Sequence, residues 1–211
     1  MTSTGTTPTT STGTTPARKR GRPGHDLSTV LAASVEVFNE RGYDGTSMED
    51  LSARLGIGKS SIYHHVDSKE ALLTLALDHA LDGLEQSAEE VKALDGAAVD
   101  RLELLLRRSV AVLVERLPYV TLLLRVRGNS EVERQALTRR RRVDRLVADL
   151  VKEAVGDGAL RPDIDPAVIA RLLFGTVNSL TEWLKPGSKH TAGELGDIVV
   201  AVVFEGLRLQ R

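Results

Sequence analysis

Apolar residues recur along most of this 211-residue chain at intervals of three and four. That is the period of an amphipathic helix and not of a strand. The first such run opens at Asp26. Leu27, Val30, Leu31, Val35 and Phe38 share one helical face, and Gly42 is a good stop. Thr46 or Ser47 then offers an N-cap, with Glu49 or Asp50 three residues on, as a capping box requires. Met48, Leu51 and Leu55 give this second helix its apolar face, and Gly56 ends it. A very short unit follows, Lys59 to His65, anchored inward by Ile62 and Val66, with Ser60, Ser61, Tyr63 and His64 facing outward. Ser68 is the N-cap candidate for a fourth helix striped by Leu72, Leu75, Ala76, Ala80 and Leu84.

The remainder reads as long helices over roughly 96–115, 118–127, 130–155, 166–185 and 192–209. Turn chemistry separates them at LDGAA, GNS, VGDGALRPDIDP and KPGSKHTAG. No segment alternates with period two. The expected fold is all-α, with about nine helices.

Composition changes the picture at the N-terminus. Residues 1–16 carry the heptapeptide TSTGTTP twice, at 2–8 and at 10–16, with almost nothing to bury. This predicts a disordered Thr-rich tail. The basic arm ARKRGRPG follows, before any acidic residue appears at Asp26. The expected organisation is a tail and arm over 1–24, a helix-turn-helix unit over 25–70 and a larger helical domain over 71–211. Net charge is −1, aromatics are 3 %, and there are no cysteines, so disulfides, thiolate metal sites and cysteine nucleophiles are excluded. No apolar run approaches the ~20 residues of a membrane helix. The N-terminus lacks the apolar core of a secretory signal. A cytoplasmic protein is expected, with no metal and no cofactor.

The stretch GIGKSSIYHHV, Gly56 to Val66, admits three chemistries. A phosphate loop would need glycine at 53, where Ala53 stands, and a preceding strand. The dinucleotide pattern fails at Ser61. As a metal site, His64 and His65 point about 100° apart on a helix and cannot easily share an ion. His25, His79 and His190 are scattered. As a helix-turn-helix, the short second helix would present Ser60, Ser61, Tyr63 and His64 to a major groove, with Lys59 and Lys69 meeting phosphates. A short helix with a solvated face has the same spacing. No catalytic constellation is present. DGALRPDIDP lacks calcium-loop spacing, and no enzyme is expected.

Gly42 to Leu73 resembles the DNA-binding domain of the TetR family of bacterial transcriptional regulators. The likeness rests on Phe38, Glu40, Gly42 and Tyr43, on Thr46–Met48, and on the turn at Gly56, Ile57 and Lys59 preceded by Ala53 rather than the more usual second alanine. It continues through SIYHHVDSKEAL, where Val66 replaces the common Phe. The resemblance implies an all-helical homodimer joined through the last two helices of each chain. It implies repression from a palindromic operator of double-stranded DNA, released by a small molecule. Implied DNA contacts are Arg20, Arg22, Thr46, Lys59, Ser60, Ser61, Tyr63, His64 and Lys69. The arm holding Arg20 and Arg22 either reaches a minor groove or is a solvated linker.

Apolar stripes support a dimer but serve an intrachain core equally. One is Val168, Leu172, Leu173, Val177, Leu180 and Leu184. The other is Leu195, Ile198, Val199, Val202, Val203 and Leu207. Gly175 and Gly206 would allow close approach. Asn178 to Leu207 is similar to the C-terminal portion of TetR-type regulators of acyl-CoA catabolism, which implies a coenzyme A thioester as effector. Leu105, Arg108, Leu123, Arg127, Arg142, Phe174, Asn178 and Trp183 are the expected pocket residues. The stronger reading of the leucines is simple core, and of most of the arginines solvation or pairing. The alternative is a helix-turn-helix regulator without a small-molecule effector, governed by a protein partner.

Overall fold

The computed structural model describes residues 1–2, 26–185 and 187–206. The Thr-rich tail, the arm with Arg20 and Arg22, and Leu207 lie outside the described residues. Those described form nine α-helices and no strand: α1 (Leu27–Arg41), α2 (Met48–Leu55), α3 (Lys59–Tyr63), α4 (Lys69–Lys92), α5 (Ala98–Glu115), α6 (Leu117–Arg125), α7 (Glu131–Gly156), α8 (Pro166–Trp183) and α9 (Ala192–Val200). A single π turn, Ala201–Glu205, extends α9 and is closed by the Gly206 N–H donating to the Ala201 carbonyl at 3.1 Å. The α-helix expected to run to 209 therefore stops nine residues earlier, at Val200.

Helix starts follow from the capping residues. The side chains of Asp26, Ser47, Ser68, Ser130, Asp165 and Thr191 each accept from a backbone N–H of the first turn. At α2 the cap is Ser47, with Asp50 returning the bond to the Ser47 N–H at 2.8 Å. Each such cap contributes about 1 kcal/mol.

Helix α4 is the spine. It packs on α1 in the first unit and on α5, α6 and α7 in the second. The expected boundary at 70/71 falls inside its first turn, so one continuous helix crosses from the first unit into the larger domain. Its Leu72, Ala76 and Ala80 are fully buried, whereas Leu75 faces outward.

Pairs of opposite charge tie neighbouring helices together. Arg139 of α7 reaches Asp78, Asp82 and Glu85 of α4, each at 2.6 Å. Those bonds, with Glu85 first, raise the guanidinium's already high pKa further. Arg107 of α5 meets Asp197 of α9 at 2.9 Å. Gly196 lies beside it, where an added Cβ would sit 3.4 Å from the Arg107 Cα. At α1 the arrangement is polar: Asn39 donates to the Pro118 carbonyl at 2.8 Å, and Arg125 of α6 donates to the Asn39 carbonyl. The first unit is thus hydrogen-bonded to α6 as well as continuous with α4.

Candidate DNA-binding surface and effector cleft

Helices α2 and α3 are joined by a turn of three residues, Gly56 to Gly58. Gly56 has φ +65°, in the left-handed region that glycine tolerates. The Ile57 N–H donates to the Ser52 carbonyl at 3.2 Å, and the Ser52 hydroxyl donates back to the Ile57 carbonyl. Ile62 is fully buried and Val66 nearly so, fixing the rotation of α3. That rotation leaves Lys59, Ser60, Tyr63, His64 and His65 exposed and Ser61 half-buried. Tyr63 is 49 % exposed although it is a large aromatic. Small hydroxyls flanked by an imidazole and a phenol on one open face can approach base edges and phosphates. Lys59 is ion-paired with Glu49 of α2, so a phosphate would have to displace that carboxylate.

Two expected DNA contacts are placed elsewhere. Thr46 is only 2 % exposed, and its hydroxyl donates to the Gly42 carbonyl at 2.7 Å. Its side chain closes the α1–α2 turn and has no open face to offer DNA. The Lys69 ammonium donates to the carbonyls of Tyr43 at 2.9 Å and Thr46 at 2.7 Å and lies 4.3 Å from the centre of the Tyr43 ring. It braces the same turn, because two of its three donors are already used there. The signal that could have revealed this is Tyr43 itself, an aromatic ring beside a turn rich in free carbonyls.

In the larger domain, α7 and α8 enclose a cleft of about 460 Å³. Its rim carries Arg140, Arg141 and Arg145 from α7 and Arg171 from α8. Among the described residues none of these four forms an ion pair, although pairing occupies most other helix-borne arginines. Asp144 is the one carboxylate lining the cleft. Burial pushes its pKa up, while Arg140 and Arg141 pull it back down.

Behind the rim lies an apolar compartment lined by Leu84, Leu113, Val120, Leu123, Val143 and Val177. It is closed down to about 20 Å³, room for little more than one water molecule. Arg140, Asp144, Phe174 and Asn178 line both spaces and form the junction between them.

Of the expected pocket residues, Leu123, Phe174 and Asn178 meet here. The others do not. Leu105 is fully buried in the α5 core. Arg108 pairs with Glu90 of α4. Arg127 is exposed at the α6–α7 turn. Arg142 faces the opposite groove, between α4 and α7, beside Glu85, Glu89 and Lys92. Trp183 is 53 % exposed on the outer face of α8. Sequence reasoning missed Arg140, Arg141, Asp144, Arg145 and Arg171 as a group. Among the described residues, no cluster of three or more His, Cys, Asp or Glu side chains is placed to hold a metal ion. No described helix is long and apolar enough to cross a membrane.

Residues 30–76 match the family described as bacterial regulatory proteins, tetR family, and residues 95–207 match the tetracyclin repressor-like C-terminal domain. The chain belongs to the TetR family. Like its relatives, this TetR-family chain is a helix-turn-helix transcriptional regulator and not an enzyme. SCO3833, a TetR-family regulator from Streptomyces coelicolor A3, is 52 % identical with a TM-score of 0.80, over 85 % of this chain and 91 % of that one. The transcriptional repressor KstR2 of Mycolicibacterium smegmatis is 25 % identical over 194 residues, 88 % of this chain and 92 % of that protein. AibR, solved with isovaleryl coenzyme A and operator DNA, is 26 % identical with a TM-score of 0.70, over 84 % of this chain and 97 % of that one. The first match runs from within α1 into the start of α4, and the second covers α5–α9.

Proposed function

We propose that this regulator is a homodimeric repressor released from a palindromic operator by an acyl-CoA thioester bound between α7 and α8. The observation that carries the effector reading is the pair of adjoining compartments. Four arginines without an ion pair among the described residues ring the outer cleft, and an apolar space lies directly behind it. Coenzyme A thioesters have that same polarity, with phosphates at one end and an acyl chain at the other. The likeness to AibR, solved with isovaleryl coenzyme A, supports the same reading.

A release mechanism follows from the closed inner space. An acyl chain entering it must push apart Leu113 of α5, Leu123 of α6, Val143 of α7 and Phe174 of α8. Helix α7 is clamped to α4 through Arg139, and α6 is bonded to α1 through Arg125 and Asn39. Displacement of α6 or α7 is therefore passed to both attachments of the DNA-binding unit. Two recognition helices must sit about 34–36 Å apart to enter successive major grooves. A ligand that favours another spacing shifts the population away from the DNA-bound form.

The dimer reading rests on an outer face of α8 and α9. Val168, Leu172 and Trp183 fall on one side of α8, with Gly175 and Ser179 between them, and Ile198 and Val202 are exposed on α9 and its π turn. An added Cβ at Gly175 would meet nothing within 4 Å, which leaves room for a second helix. The stripes expected from sequence are thus shared between two surfaces: Leu173, Val177, Leu180, Leu184, Leu195 and Val199 are buried and Val203 packs against the core, while Val168, Leu172, Ile198 and Val202 face out.

The test is fluorescence anisotropy on DNA from upstream of the gene, at two salt concentrations, with acyl-CoAs added. Sequence-selective, salt-sensitive binding reversed by an acyl-CoA is the expected result. Equal, weak binding to any sequence would overturn the operator reading, and retention on DNA across a panel of acyl-CoAs would overturn the effector reading. Tyr63→Ala or His64→Ala should weaken operator binding by about 1–3 kcal/mol, and unchanged affinity would remove that side chain from the interface. Arg141→Ala with Arg171→Ala should weaken acyl-CoA binding by roughly 1.5–3 kcal/mol per arginine, read by calorimetric titration, with operator binding retained.

A further inference from the structure

The junction between the two compartments holds one feature that an anion site would not need. Among the described residues, Asp144 is the only carboxylate lining either compartment, and it belongs to both. It stands one residue from Arg145 and three or four from Arg141 and Arg140, yet among the described residues its side chain makes no hydrogen bond and no ion pair with any of them. Its neighbours across the junction are Phe174 and Asn178. The Asn178 side chain is likewise without a protein partner among the described residues. With Arg140, which lines both compartments too, three polar groups without a partner among the described residues stand at the point where a ligand's polar end must give way to its apolar end.

A carboxylate there is a poor choice for simple anion capture, because it offsets part of the arginines' field. It does serve discrimination. A free fatty acid and its coenzyme A thioester offer the inner compartment the same chain. They differ at the junction, where the acid brings a carboxylate and the thioester a neutral carbonyl. A second carboxylate beside the half-buried Asp144 meets like-charge repulsion in a poorly solvated place. A neutral thioester does not, and Asn178 can donate to its carbonyl while Asp144 accepts from the amide N–H next to the sulfur-bearing arm. Specificity of this kind works by building a penalty against the wrong ligand.

Resting on the acyl-CoA reading above, we propose that Asp144 is the specificity-determining residue by which this cleft accepts acyl-CoA thioesters and rejects the corresponding free acids. The repressor then responds to the activated acyl pool and ignores unactivated acid of the same chain length.

The experiment is calorimetric titration of the full chain with octanoyl-CoA and with octanoate, comparing wild type, Asp144→Asn and Asp149→Asn. Asp144→Asn is isosteric and removes no protein contact. Asp149 is exposed on α7 and lines the other groove, so Asp149→Asn changes net charge equally without touching the junction. The ratio of octanoate to octanoyl-CoA dissociation constants should fall at least about tenfold in Asp144→Asn, through tighter octanoate binding. It should stay within about twofold of wild type in Asp149→Asn, where solvent and salt screen the charge. An unchanged ratio in Asp144→Asn, or an equal fall in Asp149→Asn, overturns the proposal while leaving the acyl-CoA reading intact. If octanoyl-CoA and longer and shorter acyl-CoAs fail to bind wild type, both fall together.

Discussion

Leu172→Glu should split the dimer and weaken operator binding roughly 100-fold or more. Leu172 is 64 % exposed at the centre of the outer face of α8. It is outside the buried core of its own chain, so the protomer should keep its fold. In an isologous two-fold interface each substitution is felt twice, and a glutamate would lose water on both sides without gaining a partner. A monomer carries one recognition helix and loses the advantage of tethering two half-sites together. Sedimentation velocity would show the change in mass, and anisotropy the change in affinity. An unaltered circular dichroism spectrum should accompany both. A variant that stays dimeric and holds the operator as tightly as wild type would remove this face from the interface.

Which parts of this molecule could be read in advance depends on how local their causes are. Helix starts were legible because each cap is a side chain bonding to an amide two or three residues away. The recognition helix was legible because Ile62 and Val66 fix its rotation within four residues. The division of the α8 stripe was not: Leu172 and Leu173 are adjacent, equally apolar, and face opposite surfaces. Nothing in the pattern says which surface meets the chain's own core.

The arginine run shows the same limit. Arg139, Arg140, Arg141 and Arg142 advance about 100° per residue. One clamps α4, the next two ring the cleft, and the last turns to the opposite groove. Their roles are set by which helix lies across from each, a fact of tertiary packing. Thr46 and Lys69 are engaged at the α1–α2 turn for a related reason. Both have the polarity of DNA contacts, but the carbonyls of the α1–α2 turn come within reach only after folding. Arg127, likewise, has the charge of a ligand arginine, yet it is exposed at the α6–α7 turn and does not line the cleft.

Glu133→Ala should destabilise the protein by about 3 kcal/mol. Glu133 is 4 % exposed at the start of α7, and one carboxylate oxygen, Oε2, accepts from the N–H groups of Arg127 at 3.0 Å, Gly128 at 2.7 Å and Asn129 at 2.9 Å. Three amides aimed at a single oxygen need its full negative charge, since bonds to charged acceptors are worth about 1.5–3 kcal/mol each and partial access of water to the turn offsets some of that. Gly128 holds φ +91° there, in the left-handed region that glycine adopts without strain. Alanine would leave all three donors without their acceptor. For a chain of this size the melting temperature should fall by roughly 6–12 °C, measured by thermal denaturation. Glu133→Gln keeps the shape and an oxygen acceptor but not the charge, and should lose about half as much. The same turn borders Phe38, Asn39 and Tyr43 of the DNA-binding unit, so the alanine variant should also speed amide exchange at 127–129 and at the α1–α2 turn. If Glu133→Ala melts with wild type, the three amides find equivalent partners in water and the carboxylate does not hold the two units in register.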